Sequence, residues 1–390
     1  MKKIISKILL IMASLLVTMP LQAQTPAAEA PSTFNAELQK LAQHLLQGKQ
    51  GSIVAIEPST GRVLALASHD KVEDGVNRAI SAVYSPGSTF KVAQTLEMVT
   101  EGTLTPQTQF ACHKGFWKDH IHIGCHKHAS PLMLTEALAQ SCNSYFCQAF
   151  QQMIDNRVVY PDKYQALLTW KKYMQSFGFG RKLGIDMPDE AEGVIPGPAL
   201  LARNYRAWNG TTIMWIGMGQ GEVKATPLQL CNLAAMVANR GWWITPHVHD
   251  AAPGQTLDSM FTRHHQSLAS AEAIHLVIKG MRGCVAHGTA TAINTQRYAI
   301  CGKTGTAENT GNDHSAFIGF APMNQPRVAV CVYVENGGFG ADLAAPLAAL
   351  IIEQAVTGKL SEASKARARR WQRKQVLITP VEVPVNFDDL

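Results

Sequence analysis

The chain has 390 residues, 46% of them hydrophobic and 16% charged, which excludes a disordered or wholly membrane-embedded protein and leaves material for one large domain or two smaller ones. Its formal charge of +6 falls to +3 when Lys2, Lys3 and Lys7 are set aside. The folded part is therefore not strongly basic, and no nucleic acid is expected.

Residues 1–23 carry those three lysines, an apolar run from Ile8 to about Val17, and Leu21-Gln22-Ala23 as a small-residue cleavage site. They read as a secretory signal peptide, placing the protein in the periplasm or cell envelope. The alternative is an uncleaved inner-membrane anchor, for which the run is shorter than the ~20 residues a spanning helix needs. Residues 24–50 hold an Ala/Pro linker and a short amphipathic helix, Phe34 to Leu46. Ile53-Val54-Ala55-Ile56 and Val63-Leu64-Ala65-Leu66 then flank Pro58-Ser59-Thr60-Gly61, the pattern of a hairpin in a sheet buried on both faces.

In Tyr84-Ser85-Pro86-Gly87-Ser88-Thr89-Phe90-Lys91 a turn delivers Ser88 to the start of a helix whose apolar residues (Phe90, Val92, Ala93, Leu96, Val99) recur at helical spacing as far as Gly102. Three residues bring Lys91 onto the face of Ser88, where its amine can take the hydroxyl proton. Ser68-His69-Asp70-Lys71 has the same spacing without a helical pattern behind it.

From about residue 92 to 241 the chain reads as a helical half that ends with Thr226 as a cap and Pro227 at the first helical position. It contains Ser141-Cys142-Asn143. A helix from Ala271 to Cys284 and a Gly288-Thr289-Ala290 loop lead to the strand ending in Lys303-Thr304-Gly305-Thr306. Ser315 to Phe320 and Val328 to Val334 add strands, and Leu343 to Val356 reads as a closing helix. The sheet thus draws strands from both ends of the domain, with the helical half inserted between them. Residues 358–390 form a basic tail or solvated terminal helix, with Lys365, Arg367, Arg369, Arg370, Arg373 and Lys374.

A serine with lysine at plus three, a Ser-x-Asn and a Lys-Thr-Gly, in that order, are the three-part signature of penicillin-recognising serine enzymes. From about Gly51 to about Thr357 the chain resembles the transpeptidase domain of class B penicillin-binding proteins, most of all the elongation-type branch. Gly217-Met218-Gly219-Gln220-Gly221, Thr226-Pro227-Leu228-Gln229 and Phe320-Ala321-Pro322 share the likeness. The resemblance implies the penicillin-binding-protein/serine β-lactamase-like α/β fold, a mainly antiparallel five-stranded sheet flanked by helices with an inserted all-helical subdomain.

The resemblance also implies a peptidoglycan D,D-transpeptidase that is acylated by β-lactams. Ser88 is the nucleophile, Lys91 its base, and Ser141 passes the proton to the leaving amine. Asn143 positions the substrate amide and Lys91. The backbone amides of Ser88 and Thr306 form the oxyanion hole. Lys303, Thr304 and Thr306 suit a substrate carboxylate, and Gly305 lets a peptide approach the strand edge as an added strand. A water acceptor would make the enzyme a D,D-carboxypeptidase. A serine β-lactamase, or a β-lactam sensor or wall-binding scaffold that acylates once, are the competing readings; Glu222 and Glu308 are the carboxylates open to a deacylating role. Stem peptides, β-lactams and cell-wall synthesis proteins are the expected partners. Elongation-type relatives carry a large pedestal domain where this sequence has fewer than 30 residues between leader and hairpin, so pedestal-mediated contact with a glycan polymerase is not expected.

No cofactor is required for this chemistry. Nine cysteines and histidines nevertheless fall between Cys112 and Cys147, on a loop leading to Ser141. Cys112, Cys125, His128 and Cys142 are the expected ligands of a structural zinc, with a Cys112–Cys125 disulfide as the rival. Cys231, Cys284, Cys301 and Cys331 sit in apolar runs and are expected in the core.

Overall fold

The computed structural model describes residues 30–309 and 311–379. The expected leader at 1–23, the first residues of the linker and the end of the basic tail lie outside the described residues. Asn35 caps α1 (Ala36–Leu46) by accepting the Leu38 N–H at 3.0 Å, and the hairpin of β1 (Gly51–Ile56) and β2 (Val63–His69) follows. A 3₁₀ turn over Gly87–Phe90 runs into α2 (Lys91–Thr100).

Next come β3 (Gln109–Phe110), a hairpin of β4 (Gly115–Lys118) and β5 (Ile121–Gly124), and β6 (Leu132–Met133), which pairs with β3. The helical half then contains α3 (Leu134–Ala139), α4 (Asn143–Asp155), α5 (Lys163–Ser176), α6 (Pro198–Asn204) and α7 (Pro227–Ala238). Thr226 and Gln229 close a capping box at the start of α7. Strands β7 (Trp242–Ile244) and β8 (His264–Gln266) pair ahead of α8 (Ala271–Ala286). The chain then forms β9 (Cys301–Ala307), β10 (His314–Ala321), β11 (Val328–Val334), α9 (Ala344–Thr357) and α10 (Glu362–Arg373).

The main sheet has the order β2-β1-β11-β10-β9, antiparallel throughout. Its strands are apolar on both faces, and alternate residues enter two different cores. Ile53, Phe317, Val330 and Val332 pack against α1 and α9, whereas Val54, Ile318, Cys331 and Tyr333 pack against the helical half. Helix α7 is buried on every side, as its nearly unbroken apolar sequence requires. Cys231, Cys284, Cys301 and Cys331 are all buried, as expected.

Two expectations change. The inserted subdomain is not all-helical, because the β4–β5 hairpin and the β3–β6 pair lie inside it. Their residues are too few to form a core of their own, and Phe116, Ile121 and Ile123 instead bury against Cys147, Met214 and Met218. The terminal helix expected of the basic tail, α10, is not simply solvated: Ala368 and Trp371 pack onto the core shared with α1, and Ser361 caps its first turn. The second Ser-x-x-Lys stretch is not a helix: Ser68 and His69 end β2, and Lys71 donates to the Val376 carbonyl at 2.8 Å. Among the described residues no helix is long and apolar enough to cross a membrane.

A buried ion cluster ties the ends of the sheet to the segment before Ser88. Arg78, 4% exposed, pairs with Asp74 at 2.7 Å, Glu335 at 3.0 Å and Asp70 at 3.4 Å. Glu335 also accepts the Tyr84 hydroxyl at 2.7 Å, and Tyr84 stacks on Tyr333 with ring centroids 4.4 Å apart. Removing the guanidinium leaves the shielded Glu335 and Asp70 without their counter-charge, so Arg78→Ala should lower unfolding free energy by about 2 kcal/mol, measured by urea denaturation.

Candidate active site

Ser88 is half-buried in the 3₁₀ turn, three residues before Lys91, the first residue of α2. The turn is fixed from several sides. Thr89 Oγ1 donates to the Pro86 carbonyl at 2.6 Å, Lys224 Nζ reaches Ser85 Oγ at 2.7 Å, and the Tyr333 hydroxyl reaches the Ser85 carbonyl at 3.0 Å. Gly87 has φ +54° and its N–H donates to the Gly219 carbonyl at 2.9 Å. A side chain at Gly87 would place Cβ 2.6 Å from the Thr306 carbonyl oxygen, so glycine is what lets the nucleophile turn lie against β9.

Lys91 is buried, and its ammonium has three oxygen acceptors from the Ser-x-Asn segment: Asn143 Oδ1 at 2.7 Å, the Ser141 carbonyl at 2.8 Å and Ser141 Oγ at 3.3 Å. Ser141 adopts φ +57°, a conformation a serine holds at some cost, which turns its carbonyl and hydroxyl together onto the amine. Cys142 caps α4, its sulfur accepting the Tyr145 N–H at 3.3 Å. Asn143 Nδ2 donates to the Gly124 carbonyl at 3.1 Å, tying the site to the β4–β5 hairpin. Burial lowers Lys91 to about 8, against partial opposition from the cysteine cluster. A neutral amine able to accept a proton is therefore accessible near physiological pH.

Strand β9 is the free edge of the sheet, available for β-augmentation. Lys303 is buried and donates to the Thr304 carbonyl at 3.0 Å; burial, reinforced by Lys91, lowers it to about 7. Thr304 Oγ1 lies 2.6 Å from Thr289 Oγ1, and Thr306 Oγ1 accepts the Gly340 N–H at 3.4 Å. Gly305 has a packing role within the protein as well. A Cβ there would sit 2.7 Å from Thr89 Cγ2 and 3.3 Å from the Pro86 carbonyl, so this glycine also makes room for the Ser88 turn. Lys303 and Gly305, on one face of the strand, thus turn toward Ser88, and the two threonines lie on the other.

All four proposed metal ligands meet. One donor atom from each of Cys112, Cys125, His128 and Cys142 lies within 4.8 Å of the other three, and all eight cysteines are free thiols. His128 Nδ1 bonds the Ala129 carbonyl at 2.6 Å, leaving Nε2 directed at Cys125 Sγ, 3.4 Å away. That is the arrangement expected of a metal-ligating histidine, and three thiols with one imidazole suit a closed tetrahedral zinc site. The Asn143 N–H also approaches Cys125 Sγ at 3.4 Å, so the cluster and the active-site asparagine share a contact.

Thr289, Lys224 and Gly219 join the site without having been assigned roles from sequence. The Gly288-Thr289-Ala290 loop was visible as a loop, but nothing local marks which strand residue its hydroxyl meets. Glu222 accepts the Tyr205 hydroxyl at 2.6 Å, and Glu308 is exposed beyond β9; neither bonds Lys91 or Ser141.

A serine entering a helix, a buried lysine held by Ser-x-Asn, and a Lys-Thr-Gly edge strand define the class of penicillin-recognising serine acyl-transferases. The sequence matches the family model for the penicillin binding protein transpeptidase domain over residues 51–353. It is 30% identical over 363 residues to the peptidoglycan D,D-transpeptidase MrdA of Acinetobacter baumannii, covering 80% of this chain and 52% of that protein. It is 30% identical over 378 residues to PbpA of Mycolicibacterium smegmatis, covering 83% and 72%. The crystal structure of Pseudomonas aeruginosa PBP2 in complex with WCK 5153 superposes with a TM-score of 0.73 at 30% identity, covering 86% of this chain and 78% of that one. A peptidoglycan synthase complex of polymerization and crosslinking gives 0.75 at 26% identity, covering 86% and 64%. The chain belongs to the penicillin-binding-protein transpeptidase family, and it spans about half the length of the MrdA relatives it matches.

Two outcomes follow from the geometry. Because Lys91 must be neutral to accept the serine proton, the β-lactam acylation rate should rise about tenfold per pH unit at low pH and level off near pH 8, as read by stopped-flow acylation. Gly305→Ala should push the Ser88 turn away from β9 and slow acylation by about a hundredfold, measured with a fluorescent penicillin.

Proposed function

We propose that this protein is a peptidoglycan D,D-transpeptidase acting through a Ser88 acyl-enzyme. The observation that carries the reading is the buried Lys91 amine gripped by Ser141 and Asn143 one turn beyond Ser88. Ser88 Oγ attacks the carbonyl of the penultimate D-Ala as its proton passes to neutral Lys91. The backbone amides of Ser88 and Thr306 receive the developing oxyanion. The C–N bond then breaks, and Ser141 relays the proton to the departing D-Ala amine. The amine of a neighbouring stem peptide attacks the ester, regenerating Ser88 and forming the cross-link. Lys303, on the face of β9 that turns toward Ser88, anchors the terminal carboxylate, which a β-lactam also carries.

The domain works at the cell envelope, exported by residues 1–23, with other cell-wall synthesis proteins as partners; support comes from the synthase complex to which the fold is similar. Cys112, Cys125, His128 and Cys142 hold a structural zinc that fixes the loop ahead of Ser141. It supplies no chemistry to the acyl transfer, and its role is to clamp Cys142 and thereby the start of α4.

Intact-mass analysis with benzylpenicillin tests the catalytic reading. One stable adduct per chain, absent from Ser88→Ala, is expected. Rapid loss of the adduct with drug hydrolysis would indicate a β-lactamase, and no adduct would exclude Ser88 as nucleophile. For the metal, elemental analysis should find one zinc per chain. Cys125→Ser should lose it and lower the melting temperature by several degrees, whereas metal-free protein with a Cys112–Cys125 disulfide would favour the rival reading.

A further inference from the structure

The β4–β5 hairpin carries a large aromatic side chain that the chemistry at Ser88 does not use. Trp117 is 72% exposed, on a hairpin whose other face is firmly seated. Phe116, Ile121 and Ile123 pack against Cys147, Met214, Trp215 and Met218. Tryptophan is among the side chains most enriched at binding hot spots, and one held exposed on a fixed support is already arranged for that use. Trp117 stands directly across from His122 in the hairpin register, and their rings stack with centroids 4.4 Å apart and planes 25° apart. The imidazole covers one indole face and holds the ring upright; among the described residues no other ring stacks on Trp117.

The next cross-strand pair on that same face is Gly115 with Gly124. Two residues of strand, about 7 Å, separate the Trp117–His122 stack from Gly124. A Cβ added at Gly124 would meet nothing within 4 Å, so bare backbone and open space lead from the stack toward the active site. At the end of that path the Gly124 carbonyl accepts the Asn143 amide, whose Oδ1 holds Lys91. The surrounding segment, residues 113–128, has Lys114, Lys118 and Lys127 against the single carboxylate of Asp119.

We infer that Trp117, braced by His122, is a saccharide-binding platform that seats the glycan strand of the peptidoglycan substrate beside the Ser88 cleft. The apolar C–H face of an acetamido sugar matches the free indole face. The net positive charge of residues 113–128 suits the carboxylates of the peptides the strand carries, and the open backbone at Gly124 lies between the indole and Asn143. This inference rests on the transpeptidase reading for the identity of the substrate. Trp117 is a positioning residue that acts on the glycan and takes no part in acyl transfer.

The test uses the full chain with the nucleophile removed, so that binding is read without turnover. Peptide-free glycan strands, prepared by amidase treatment of peptidoglycan, are titrated into Ser88→Ala protein and into the same protein with Trp117→Ala or Trp117→Phe. The alanine variant should bind about tenfold more weakly, the size of one well-placed aromatic anchor, and phenylalanine should restore much of the loss. In the active protein, Trp117→Ala should lower by about tenfold the ratio of kcat/KM on glycan-linked pentapeptide to kcat/KM on the free pentapeptide. That ratio is insensitive to a general loss of folded enzyme. Equal glycan affinity in the two proteins, no measurable glycan binding, or an unchanged ratio would each overturn the inference. Failure of the catalytic reading would show separately, as absence of a Ser88 adduct with benzylpenicillin, while glycan titration would still decide the role of Trp117.

Discussion

A lysine ammonium buried, among the described residues, without a carboxylate partner is the constraint around which this domain is built. Oxygen dipoles from Asn143 and from the carbonyl and hydroxyl of Ser141 replace water at Lys91, with the Phe146 ring centroid 5.5 Å away. Such an arrangement satisfies the donors of an amine while leaving its charge poorly compensated, and the charged form is disfavoured as a result. The proposed role of Lys91 as the base follows from that imbalance. A carboxylate beside Lys91 would stabilise the ammonium and remove the base.

Holding those dipoles in place accounts for much of the surrounding architecture. Ser141 sits in a left-handed conformation, Cys142 caps α4 with its sulfur, and the Asn143 amide is fixed from behind by the Gly124 carbonyl. Each attachment leads to the cysteine and histidine cluster on the long loop between β3 and α3. On the opposite side, close backbone approach does the equivalent work. Gly87 and Gly305 allow the serine turn and the edge strand to touch where any β-carbon would intrude. Ser88 is thus set by glycines toward the sheet and by hydrogen bonds toward the helices, a precision that the proposed acyl transfer requires of its reacting groups.

Most of this was legible in the chain because its signals are local. The Ser88, Ser141 and Lys303 motifs are each three or four residues long, and the apolar runs that became β1, β10 and β11 have no competing helical period. The cysteine and histidine density between Cys112 and Cys147 was equally visible and pointed to the four donors that meet. Less visible were pairings set by tertiary contact. Thr289 meets Thr304, and Lys224 meets Ser85 from 139 residues away. The β4–β5 hairpin has a weak alternation crowded with histidine and lysine, and its inward residues find their core only against Met214 and Met218. The docking of helix α10 was obscured by its charge, since Trp371 and Ala368 are few apolar residues among many cations. Gly305 shows a further limit: a motif glycine announces close approach but not what approaches.

The account turns on the ionisation of one side chain, and that is open to direct observation. Protein labelled with ¹³C at lysine Cε can be titrated by NMR, with the Lys91 resonance assigned by its disappearance in Lys91→Arg. A Lys91 resonance that titrates near pH 8, well below the exposed lysines, is the predicted result. A Lys91 that titrates with the exposed lysines, above pH 10, would contradict the assignment of this buried amine as the base that activates Ser88.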